Sequence, residues 1–452
     1  MASLNEFFVA LSGMVWGPWM LALLLGTGIY LTVRLRFIQF RMLGYGLKLA
    51  FSRERSGEGD IHHFGALMTA LASTIGVGNI AGVSTAVALG GPGAVFWMWI
   101  TALFGMATKY AEALLAVRYR LVNERGEISG GPMFYLRDGL GKKWLGVCFA
   151  LFGSVAAFGT GNMVQANTVA AALNESMGWS PVTVGLGLAF VSGLVILGGI
   201  KRIAEVSSIL VPAMVVIYFT ATLVILFSYW DRVPEGLVMI FESAFSGSAA
   251  AGGFAGATLA QSIRFGVARG MFSNESGMGS APIAAAAAKT NEPAKQALVS
   301  MTGTFLDTIV VCSMTGLVLA ATQSWHSGKT GAALTIEAFS QGLPGEWGQW
   351  VVTLGVATFA FSTIIGWCYY GEKCLEFLTG IRFIMHYRMV WVLFVFLGAV
   401  FKLEIVWNLS DTMNGMMAIP NLIGLLLLGG ILSKETIRFE RGIGDGSINK
   451  FD

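Results

Sequence analysis

Long apolar runs separated by short charged loops set the pattern of this chain. A membrane-crossing helix needs about 20 apolar residues. Eleven segments are read as spans on that basis, the last two shorter than the rest: 14–33, 65–90, 93–117, 144–173, 181–200, 206–230, 261–288, 297–321, 349–371, 389–406 and 418–433. The stretches 234–260, rich in Gly, Ala and Ser, and 322–348 are expected to lie outside as loops or surface helices. The predicted class is an all-α polytopic membrane protein.

Charge gives the segments a direction. Of the 29 Lys and Arg, 23 fall in alternate loops and the tail: in 34–62, in 118–143, at Lys201-Arg202, at Lys289 and Lys295, at Lys373, Arg382 and Arg388, and from Lys434 to Lys450. The intervening loops hold Arg232, Lys329 and Lys402. Basic loops stay on the cytoplasmic side, so the N-terminus is expected outside and the C-terminus inside. Composition agrees, with 12% charged residues against about 25% in a soluble protein. A net charge of +3 implies no nucleic acid or other polyanionic partner. Cys148, Cys312, Cys368 and Cys374 lie in or beside apolar segments and are expected as reduced packing residues. The start Met-Ala-Ser-Leu-Asn-Glu lacks a basic n-region, so the first apolar stretch is expected to persist as a helix.

Glycine and proline interrupt the chain twice in register. Gly76 and Gly277, Gly78 and Gly279, and Pro92 and Pro293 are each 201 residues apart. Residues 65–230 and 266–431 then hold five spans each, and five is odd, so the second unit crosses inverted. The expected architecture is a 5+5 inverted repeat with 14–33 as an extra N-terminal helix. Paired interruptions in the two halves of a membrane protein point to its transport site. A nucleotide-binding loop is excluded at Gly76-Val77-Gly78-Asn79, because no strand precedes it. Close helix packing is the rival explanation, but Ser73, Thr74 and Asn79 beside the break are polar groups at membrane depth, which are costly unless paired. Unwinding frees backbone groups: N–H at a half-helix start suits a carboxylate, and freed carbonyls suit an ammonium or Na⁺.

The stretches "TIGVGNIAGVSTAVALGGPGAVFWMW", "MATKYAEA", "GGPM", "ARGMFSNESGMGSAPIAAAAAKT" and "FSTIIGW" resemble the alanine or glycine:cation symporter family over nearly the whole chain. The resemblance implies a leucine-transporter-type fold in which a sodium gradient drives the movement of a small amino acid (L-alanine, glycine or D-alanine). By position it implies that Thr74, Gly78 and Asn79 hold the substrate carboxylate or a nearby Na⁺. Phe272, Ser273 and Asn274 would face the amino group, Gln165 would reach across the bundle, and Trp367 would wall the side-chain pocket. It also implies a Na⁺ between the carbonyls of Ala72 and Ile75 and the hydroxyls of Ser362 and Thr363. The alternative for that hydroxyl pair is bonding back to its own helix.

Asp307 is expected to complete a second cation site near Asn79 and Thr304. Glu275 is expected to accept from freed N–H groups, to join a cation site or to carry a proton; structural pairing of either acid with Arg264 or Arg269 is the alternative. Lys109 and Glu112 are expected as an intrahelical pair near the interface. His62, His63, His326 and His386 fall in expected loops, and no transition-metal site or further cofactor is expected. No catalytic motif appears, so an enzyme is not expected. The rival transport readings are a proton-coupled symporter and a passive facilitator. A multi-pass protein of the inner or plasma membrane of a prokaryote, with no obligate protein partner, completes the expectation.

Overall fold

The computed structural model describes residues 2–52, 57–246, 259–401 and 404–449. Arg53, Arg55, Lys402 and Lys450 of the charge pattern, and 247–258 of the expected outer segment, lie outside these. The described secondary structure is helical apart from a hairpin, Leu121–Val122 against Ile128–Ser129, and a bridge between Ile61 and Ala288. Among the described residues seven helices are long and apolar enough to cross a membrane, or nine if each of two bent pairs counts once. Pro181–Ile196 is a shorter apolar helix.

The helices sort by how much of each is covered. Gly93–Arg118 is 83% buried along its apolar window, Trp347–Thr379 67% and Pro293–Thr322 61%, so these form the centre. Gly199–Ser228 is 28% buried and turns Ile209, Val216, Ile217 and Phe227 outward. An apolar outer face is stable only where hydrocarbon replaces water, and helices satisfy their own backbone there. The chain is a multi-pass membrane protein.

Local chemistry explains most helix ends. Ser180 caps the helix that Pro181 opens, accepting from the Thr183 N–H at 3.2 Å. Gly178 ends the preceding helix in the left-handed region at φ 68°. Pro293 opens the helix that leads to Asp307. Two expectations shift. The first helix does not start at 14: Ala2–Val15 and Pro18–Arg34 meet at Gly17. The segment expected at 418–433 belongs to Glu404–Leu427, after which the chain bends by 61° into Gly429–Asp445. Ser410, Thr412 and Asn414 on that helix are polar but buried against neighbours, which hides a span from an apolarity measure. The expected outer segments carry the helices Val233–Ser246 and Gly331–Gly342.

One end of the molecule is closed by backbone pairing. Asp60 and Ile61 N–H donate to Ala287 O at 2.8 and 3.1 Å, and Lys289 N–H donates to Ile61 O at 2.7 Å. Arg120 staples the joint. Its guanidinium donates to the carbonyls of Ala286 (2.9 Å), Ala288, Glu58 and Thr290 (each 2.7 Å). Burial pulls this guanidinium below its ordinary pKa, opposed by Glu58 and Asp60. Gly429–Asp445 docks at the same end: Arg438 bonds Glu292 at 2.5 Å, Glu440 bonds Arg41 at 2.8 Å, and Glu435 pairs with Arg118. At the other end two cavities of about 240 and 310 Å³ descend to Phe272, and the larger also reaches Gly78.

Candidate functional site: two broken helices joined by Asp307

The two interruptions are real and differ in cause. In the first, His63–Thr74 ends at Ile75, which is extended at ψ 90°, and the chain resumes at Gly78 bent by 51°. Gly76 serves close approach here: a Cβ would lie 2.5 Å from Thr363 Oγ1. In the second, Leu259–Asn274 stops and Pro282–Ala286 follows. Glu275, Gly277 and Gly279 between them sit at φ 54°, 88° and 82°. Glycine adopts that left-handed backbone freely, whereas a non-glycine residue there carries strain that the surroundings must hold.

Asp307, on the π-helical segment Phe305–Cys312, ties both breaks together. Its Oδ1 accepts from Asn79 Nδ2 at 2.7 Å, and its Oδ2 accepts from Ser273 Oγ at 2.9 Å and Thr308 Oγ1 at 2.7 Å. Asn79 in turn accepts the freed Gly76 N–H at 3.0 Å. Cys312 adds sulfur contacts to Asn79 and Ser273 at 3.3 Å each, so it belongs to the site as well as to the packing. Asn274 holds its own break, bonding Thr308 at 3.2 Å and accepting Ser276 N–H at 3.0 Å. A Cβ on Gly78 would lie 3.5 Å from both the Phe272 ring and Ser273 Cα, so the breaks touch.

The hydroxyls Ser362 and Thr363 stand against the first break. Each donates to Phe359 O, at 2.8 and 3.0 Å, and Ser362 also donates to Ile75 O at 3.4 Å. The back-bonding alternative and the approach to the break therefore hold together. A hydroxyl that donates keeps lone pairs to offer a cation. Ala72 lies buried one turn earlier. Thr74 Oγ1 donates to Ala70 O at 3.1 Å. Asp307 is engaged with Asn79 and Ser273, not with Ser362 or Thr363. Gln165 Nε2 donates to Thr160 O at 3.0 Å, while its buried Oε1 has no partner among the described residues. That oxygen is 3.6 Å from where a Gly76 Cβ would stand.

Trp367 is fully buried, packed on Gly161, and its indole N–H donates to Glu275 Oε1 at 2.7 Å. Ser280 donates to Glu275 Oε2 at 2.6 Å. Glu275 and Asp307 thus bond within the breaks, whereas Arg264 and Arg269 line the 240 Å³ cavity with Asp411.

The expected interfacial position of Lys109 and Glu112 is corrected, and the two do not bond each other. Both side chains are buried, and Glu112 Oε1 accepts from Gly279 N–H at 2.9 Å and Asn421 Nδ2 at 2.6 Å. Asn421 also donates to Gly277 O at 2.9 Å and accepts from Tyr135. This clamp on the second break went unseen because a charged pair near a span end reads as interfacial. Two of the four histidines, His63 and His386, are corrected too, whereas His62 and His326 lie outside the α-helices as expected. His63 opens a helix, buried and bonded to Gln296; His326 lies on Trp325 in a short turn; His386 is within Ile384–Val400.

Two broken helices cradled by a ring of longer ones define a transporter core. The crystal structure of MhsT in complex with L-phenylalanine matches at TM-score 0.51 over 84% of this chain and 100% of that one. At 14% identity this establishes the leucine-transporter-like fold alone. The chain belongs to the sodium:alanine symporter family, whose model matches residues 1–452. It is 57% identical to the sodium/alanine symporter AgcS of Methanococcus maripaludis, over 94% of this chain and 95% of AgcS. It is 38% identical to the probable sodium/glutamine symporter GlnT of Bacillus subtilis, over 96% and 90%.

Proposed function

We propose that the chain is a secondary active symporter that takes up a small neutral amino acid, L-alanine, glycine or D-alanine, with Na⁺ by alternating access. The observation that carries this reading is the first break facing Ser362 and Thr363. The Ile75 carbonyl, with that of Ala72, and two hydroxyls offer oxygen ligands of the kind Na⁺ takes. Asp307 contributes a carboxylate next to Asn79. The substrate's carboxylate meets Thr74, Gly78 and Asn79, its ammonium meets Phe272, Ser273, Asn274 and the free oxygen of Gln165, and Trp367 bounds the side chain. Na⁺ is the coupling ion, and no other cofactor is called for.

Membership in the family supports alanine and Na⁺, and the two cavities leading to Phe272 and Gly78 support access from one side at a time. In this reading the cavities face outward, and the Arg120 staple and the arginine-rich end face the cytoplasm of a prokaryotic cell membrane. Eleven spans follow, with the N-terminus outside, units at 65–230 and 266–431, and the first helix outside the repeat. Helices opening at Gly93, Lys143, Pro181 and Gly199 are answered in the same order by helices opening at Pro293, Trp347, Ile384 and Glu404, which supports the repeat.

The test is uptake of labelled alanine into proteoliposomes under an inward Na⁺ gradient, against a K⁺ control. Accumulation only with Na⁺ supports symport. Equal equilibration in both salts leaves the facilitator or the proton-coupled symporter, which an imposed pH gradient separates.

A further inference from the structure

Beneath the second break lies an unbalanced set of charges. Glu112, Glu275 and Asp307 are carboxylates buried to 5% exposure or less, and Lys109, at 4%, is the cation on which all three act. Uncompensated charge inside a membrane protein is costly, because the energy of losing water is recovered only through a partner. The donors available to these acids are unequal. Asp307 receives three side-chain donors. Glu275 has one donor on each oxygen. Glu112 spends Oε1 on Gly279 N–H and Asn421, and its Oε2 has no partner among the described residues. Lys109 Nζ, with three protons to give, has none either. The orphan donor and the orphan acceptor do not bond each other, yet they sit three residues apart on the Gly93–Arg118 helix, a spacing that puts both on one face. The Tyr135 phenol is the other titratable group near Glu112.

We propose that Lys109 is the resident counter-ion of the second break: its ammonium shares a buried helix face with Glu112, offsets the negative charge there through space, and so supports the grip of Glu112 on Gly279. This rests on the symport reading above and adds a division of labour to it. The second break carries its own tethered cation, and the cation from solution is left to the first break. The Lys109→Met change then removes a charge that only a second ion from solution replaces.

The experiment measures Na⁺-driven alanine uptake against Na⁺ concentration for wild type, Lys109→Met, Glu112→Gln and Lys109→Met/Glu112→Gln, with thermal unfolding of each in detergent. Gln keeps an acceptor for Gly279 and Asn421 while removing the charge. Each single change is expected to lower uptake at limiting Na⁺ by about tenfold or more, the cost of stranding one buried partner. Lys109→Met is expected to steepen the Na⁺ dependence. The double variant is expected to return to within about threefold of wild type with the original steepness, the non-additivity that marks two coupled charges. A Lys109→Met protein with the wild-type Na⁺ curve, or a double variant no better than the worse single, overturns the proposal. If Lys109→Met does not accumulate folded, the double variant decides: folded, active protein supports the pair, and continued failure overturns it. Loss of Na⁺-driven uptake in wild type would instead strike the symport reading, and the unfolding cycle would still test the pair.

Discussion

Asn79 and Asp307 lie 228 residues apart in sequence and meet at 2.7 Å, and through this contact the first broken helix is held to the partner of the second. Asn79 takes the Gly76 N–H at 3.0 Å on one side, and Asp307 takes Ser273 at 2.9 Å on the other. A movement of either break is therefore felt by the other through one carboxylate.

Asp307→Ala takes the carboxylate acceptor from Asn79, Ser273 and Thr308 in a buried site and leaves Asn79 and Ser273 only longer contacts, at a cost of about 1–3 kcal/mol for each group left unsatisfied. The expected result is a lower unfolding temperature in detergent together with loss of alanine uptake. Asp307→Asn, which retains one acceptor oxygen, is expected to fall between the two. Wild-type uptake in Asp307→Ala would remove Asp307 from the account.

The glycines of the two breaks are predicted to fail differently. Gly277→Ala forces an L side chain to φ 88°, costing about 1–2 kcal/mol of stability. Gly76→Ala instead drives a methyl to 2.5 Å from Thr363 Oγ1, and Thr363→Ala makes room for it. Thermal unfolding of Gly76→Ala/Thr363→Ala should thus recover toward wild type, while Na⁺ dependence stays lost. No recovery in the double variant would show that Gly76 is needed for its backbone rather than for space.

Gln165 offers a buried oxygen without a partner 3.6 Å from the place of a Gly76 Cβ. A hydrogen bond to a charged group contributes about 1.5–3 kcal/mol, so Gln165→Leu is expected to weaken alanine binding by roughly ten- to a hundredfold. Equilibrium binding of labelled alanine checks this; unchanged affinity would take Gln165 out of the substrate site.

Arg120 holds four backbone carbonyls from the segments that close one end. Lysine cannot reproduce a planar fork of five donors. Hydrogen exchange at Asp60, Ile61 and Lys289 is predicted to quicken in Arg120→Lys and further in Arg120→Ala. Equal protection in all three proteins would mean that the backbone pairing closes this end unaided.

The breaks were legible in the sequence because glycine and proline write backbone conformation locally, and the in-register pairs Gly76/Gly277 and Gly78/Gly279 fall where the helices stop. Chemistry across the bundle was less so. Asp307 stood out as a charge in an apolar run, but its bond to Asn79 depends on how two helices distant in sequence pack. Glu112 was hidden by its neighbour: a Lys three residues away suggested a surface pair, and only burial separates the two. Asn421 carried no signal, since one amide in an apolar run does not reveal that it holds Gly277. The Glu404–Leu427 helix was missed in its first half because Ser410 and Asn414 spend their polarity on other helices.

The central claim is that Na⁺ at the first break and the amino acid beside it favour the same state, which makes their affinities reciprocal. The most direct measurement is calorimetric binding of alanine to the purified protein across Na⁺ concentrations, with Thr363→Ala in parallel. The account predicts that Na⁺ tightens alanine binding by about 5- to 150-fold relative to K⁺, and that Thr363→Ala abolishes the difference. Equal alanine affinity in Na⁺ and K⁺ for the wild-type protein would contradict it.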